Sequence, residues 1–159
     1  MNREEIKTFT LRVTEANSCD LIVILYDIVL CDINNAKKAL RKGDTQLFAK
    51  ELHHATRFMN ELISNLNYEG AIAYDLMSLY SYCNKRLASA VAGNRAEDLD
   101  IVVDVLTKLR SSFKTLADAD TSGPLMKNAQ SVYAGLTYGK GCLNETYVDA
   151  ADFNRGFRA

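Results

Sequence analysis

The chain has 159 residues, enough for one domain with a sizeable core and too few to expect two. Apolar residues at 48% and charged residues at 25% suit a folded globular protein and argue against wholesale disorder. A net charge of -1, with Lys and Arg scattered and no basic block, supplies no electrostatic footprint for nucleic acid.

Residues 2 to 16 lack strong periodicity and read as a short helix or an arm laid across the rest. The start M-N-R-E-E-I-K holds no apolar segment that would serve as a secretory signal. Asn17 and Ser18 are N-cap candidates for the next element, which opens with the apolar run L-I-V-I-L-Y-D-I-V-L-C from Leu21 to Cys31. Its single charge is Asp27. A run this short cannot cross a bilayer, which needs about 20 apolar residues in a helix, so protein must cover it. The pattern continues at helical spacing through Ile33, Ala36, Ala39 and Leu40, and length decides for helix over strand. Apolar side chains then surround nearly the whole axis, whereas a surface helix normally shows one stripe. One face can fill a core and the other needs a partner.

Lys37, Lys38, Arg41 and Lys42 crowd the last turns of this helix, opposite the negative end of its dipole, and Gly43 ends it. Asp44 or Thr45 caps a second long helix whose apolar set runs Leu47, Phe48, Leu52, Ala55, Phe58, Met59, Leu62, Ile63 and Leu66. After the turn N-Y-E-G, a third helix carries Ile72, Leu76, Tyr80, Cys83 and Leu87 and ends near Gly93. A fourth has Asp98, Asp100 and Asp104 early and Lys108, Arg110 and Lys114 late, the charge order that the dipole favours. Short connections fold neighbours back on one another, which predicts an all-α, antiparallel up-down four-helix bundle over residues 1–117, with the arm at 1–16. Residues 118–159 read as a linker, a short helix from Leu125 to Val132, and a mobile tail with Tyr133, Leu136, Tyr138, Tyr147, Phe153 and Phe157. Those spaced aromatics suggest that the tail docks on the bundle, in this molecule or a neighbour.

The chemistry-bearing constellations are sparse. The four cysteines, Cys19, Cys31, Cys83 and Cys142, form no C-x-x-C pair, which points to a reduced cytosolic chain without zinc. A paired E-x-x-H bundle site needs two such motifs, and Glu51-x-x-His54 stands alone. Its only companion, His53, lies about 100° away on the same helix. Asp27 and Asp32, beside the apolar run, are candidate acids or bases, but nothing nearby completes a site, and interhelical hydrogen bonding is the plainer role. No phosphate loop, dinucleotide turn or nucleophile elbow is present. The stripe L-Y-S-Y-C at Leu79–Cys83, with Arg86 one turn beyond Tyr82, suits a surface buried when a partner arrives. With the over-apolar first helix, it favours a groove for a helix or peptide.

At these residues the chain resembles the FliS family of flagellar export chaperones. The first signature is A-N-S-C-D-L-I-V-I-L-Y-D-I at Ala16–Ile28, where the family has L-Y-D-G. The second is L-Y-S-Y-C-N-K-R-L at Leu79–Leu87, and the third is L-R-S-S-F at Leu109–Phe113, where the family has tryptophan at the last position. Order, spacing and helix length agree over about residues 8 to 116. Ile28 and Val29 in place of small residues imply a narrower groove. The family's arm tyrosine is matched most nearly by Phe9.

The resemblance implies a non-enzymatic chaperone of the bacterial cytosol that binds the disordered C-terminal segment of flagellin, without cofactor, metal or membrane insertion, and with the export apparatus as a further candidate partner. The groove residues expected are Leu21, Leu25, Tyr26, Ile28, Val29, Leu79, Tyr82 and Cys83, with Ile6, Phe9 and Leu11 on a covering arm. Two alternatives stand beside it: a carboxylate-bridged metalloprotein on a similar bundle, and a self-associating bundle that hides its spare face in a homodimer.

Overall fold

The structure, a computed structural model, describes residues 3–126. Among them are five helices and no strand: α1 (Arg3–Glu15), α2 (Ser18–Arg41), α3 (Thr45–Ser64), α4 (Ala73–Gly93) and α5 (Glu97–Ala119). Local chemistry explains the boundaries. The Asn17 side chain accepts the Asp20 N–H at the start of α2, and Asp44 accepts the Leu47 N–H at the start of α3. Gly43, with φ +77°, turns the chain between them. In the α3–α4 turn the Asn67 carbonyl accepts the Gly70 N–H, and its side chain accepts the Glu69 N–H. The left-handed residue that closes α4 is Asn94, one position beyond the expected Gly93; asparagine is the usual second choice there. The last helix runs through Ala119, past the boundary expected at residue 117, and its final turns carry the Lys114–Asp118 pair at 2.7 Å.

These helices form a bundle in which α2 packs on α3 and α5, and α4 packs on the same two. Polar pairs fix directions: Asp20, Asp27 and Lys37 along α2 meet Lys114, Arg110 and Asp100 in reverse order along α5. The main core takes Tyr26, Val29, Ile33 and Ala36 from α2, Phe48, Leu52 and Met59 from α3, Tyr80, Cys83 and Leu87 from α4, and Leu99, Val102 and Leu106 from α5. The Tyr26 and Tyr80 hydroxyls hydrogen-bond to each other inside it, and burial raises the pKa of both. Phe113, at the position of the family's tryptophan, lies against Tyr26 with ring centroids 5.7 Å apart.

No helix among the described residues is long and apolar enough to cross a membrane. Leu125 and Met126, where the sequence predicts a short helix to begin, are not helical; the rest of that stretch, the tail aromatics and Cys142 lie outside the described residues.

Candidate functional site

Tyr26, Val29, Ile33 and Ala36 recur at intervals of three and four, so one stripe of α2 enters the main core. A second stripe, Leu21, Ile24 and Ile28, faces another way. It makes a separate apolar cluster with Ala16, with Phe9 and Val13 of α1, and with Phe58 of α3. The helix rich in apolar residues on all sides is thus double-faced, and α1 lies over its second face.

Polar contacts hold α1 in place. The Asp27 carboxylate accepts from Arg12 of α1 at 2.7 Å and also from Arg110 of α5, so one acid ties three helices together. Near the other end, the Asn35 amide donates to the Glu5 carboxylate at 3.2 Å. No residue of α1 is fully buried. Phe9 and Val13 supply its inward contact, whereas Ile6 and Leu11 are 52% and 41% exposed. A 13-residue helix is marginal alone, so α1 owes its order to this shallow contact.

The eight residues expected to line one groove fall into separate surroundings. Tyr26, Val29 and Cys83 are enclosed in the main core, and Leu25 is half-buried against it. Leu21 and Ile28 lie beneath α1. Leu79 and Tyr82 stand on the outer side of α4, 38% and 37% exposed. Arg86 lies over the Tyr82 ring at 5.1 Å and pairs with Asp98 of α5 at 3.1 Å, joining α4 to α5 beside them. Ile101, one turn beyond Asp98, is also exposed, so α4 and α5 carry further open apolar surface. Sequence reasoning did not single out Ile24 and Val13 as contact residues, and it named Phe58 only within the apolar set of its helix. Their signal was spacing: Ile24 and Ile28, like Phe9 and Val13, stand four apart.

Asp32 is fully buried, and its Oδ2 meets His54 Nδ1 at 2.7 Å across the α2–α3 seam. Burial raises the carboxyl to about 6 against the opposing pull of His54, with nearby Glu51 raising it further. Among the described residues no group of three or more His, Cys, Asp or Glu side chains is arranged to hold a metal ion. The acids beside the apolar run join helices: Asp27 through arginines, Asp32 through a histidine.

Fold and site together define a helical-bundle protein with apolar helix faces offered beyond its own core. The sequence model described as flagellar protein FliS matches residues 3–120, and the chain belongs to the FliS family, a family of flagellar chaperones. Comparison with individual curated proteins gives no match.

Proposed function

We propose that this protein is a cytosolic flagellar secretion chaperone that binds the disordered C-terminal segment of flagellin, prevents its premature polymerisation and delivers it for export, without catalysing a reaction. In this reading the four long helices form an up-down antiparallel frame. The observation that carries the proposal is the second apolar cluster, Leu21, Ile24 and Ile28, which meets the main core through Phe58 and packs against Phe9 and Val13 of α1.

A client segment with an amphipathic pattern needs apolar area, since each Å² removed from water contributes roughly 25 cal/mol while ordering a disordered chain costs about 2 to 5 kcal/mol or more. Displacing α1 offers the second face of α2, and Leu79 and Tyr82 supply separate open apolar surface on the outer side of α4. Tyr26, Val29 and Cys83 support the surface from within the core, and Phe9 is the arm residue that seals it.

Co-expression with a cognate flagellin tests the reading. Tagged protein should retain full-length flagellin and lose it when the last segment of about 40 residues, a length on the scale of helix-in-groove contacts, is removed. Equal retention of both forms, or of neither, contradicts it; a tight homodimer that ignores flagellin supports self-association instead.

A further inference from the structure

The joint between α1 and α2 is two residues long, Ala16 and Asn17, and both are buried. A buried joint must still satisfy its backbone. The Asn17 carbonyl accepts the Leu21 N–H inside α2, but the Ala16 carbonyl, at the C-terminal end of α1, is one of the groups that helix geometry leaves without an internal partner. Its partner comes from beyond α5, which ends beside the start of α2: the chain turns back, and the Leu125 N–H donates to the Ala16 carbonyl at 3.0 Å. At the start of the same segment the Asp120 side chain accepts the Ser122 N–H at 2.9 Å, which shapes the return. The side chains of Leu125 and Met126 remain more than half exposed, so the return is fixed by main-chain and polar contacts and not by apolar burial. Matching to the family ends at residue 120, where this segment begins.

We infer that residues 120–126 are a clamp on the α1–α2 joint, holding α1 closed over the second face of α2 and thereby setting how readily a helical client displaces it. The clamp acts on the hinge and leaves the apolar surface itself unoccupied. The consequence for clients rests on the reading of α1 as a cover; the clamp itself does not.

Amide hydrogen exchange of the full-length protein tests it. Leu125→Pro removes the donor, whereas Leu125→Ala keeps it. The α1 amides of L125P should exchange about fivefold faster or more, the scale of one hydrogen bond lost to a buried carbonyl, while those of L125A keep wild-type rates and α3 and α4 stay protected in both. Asp120→Ala, which removes the side-chain acceptor of the Ser122 N–H and so loosens the return, should shift the same amides in the same direction. Unchanged α1 exchange in L125P or in D120A, or an equal effect of L125A, overturns the clamp. Calorimetric titration with a synthetic flagellin C-terminal peptide separates the two claims. Faster α1 exchange with unchanged affinity upholds the clamp and removes α1 as the cover, whereas faster exchange with tighter binding supports both.

Discussion

Asp27 carries more of the arrangement than its place in an apolar run suggests. It receives Arg12 and Arg110 together, and each arginine is more than a third exposed, so the two pairs contribute modestly and act chiefly by orienting α1. Asp27→Asn should cost about 1 kcal/mol of stability in denaturant titration and speed exchange of the α1 amides; unaltered α1 exchange would show that the apolar contact alone holds the helix. Asp32 governs pH dependence in the opposite sense from a typical surface carboxylate. Its folded value of about 6 lies above the ordinary 3.8, so the folded protein keeps a proton that the unfolded chain releases. The stability from this group is fully present below about pH 4 and is lost as pH rises through about 6. Asp32→Asn should therefore compare more favourably with wild type at pH 7.5 than at pH 4, by about 1–3 kcal/mol, in paired denaturation curves. A difference that does not vary with pH would show that the pull of His54 offsets the burial.

At the scale of elements, α1 and α2 divide the account. The long helices were legible because their apolar positions repeat at three and four and their ends carry Asn17, Asp44 and Gly43. The faces of α2 were not, because an apolar run offers the same side chains to either side, and only the position of α1 decides which stripe goes where. Phe9 faces inward, against the second cluster. Leu11 is turned away from Phe9 and Val13, whereas Ile6 stands one turn before Phe9 on the same side and is still more than half exposed. The return of residues 120–126 left no trace in the sequence, because a main-chain hydrogen bond does not depend on which side chain carries the donor. If α1 is a detachable cover, the double variant F9S/V13S should leave α1 amides exchanging at rates near those of a free peptide while α2–α5 keep their protection. Loss of protection throughout would make α1 part of the cooperative core instead.

For the whole molecule, stability and binding belong to different clusters. The main core joins α2, α3, α4 and α5 without α1, so its large side chains should control folding. Phe48→Ala, at a fully buried site, should cost about 3–5 kcal/mol and lower the unfolding midpoint of the entire bundle; a smaller loss confined to α3 would mean that the helices do not unfold as one unit. The second cluster, Leu21, Ile24, Ile28 and Phe58 under Phe9 and Val13, is placed to trade one helical cover for another. Its exchange of partners is measured most directly by isothermal titration of the flagellin C-terminal segment into wild-type protein and into F9S/V13S. The variant, freed of competition from its own α1, should bind more tightly, with a negative heat-capacity change in both titrations from the burial of apolar surface. Equal or weaker binding by the variant would contradict the account.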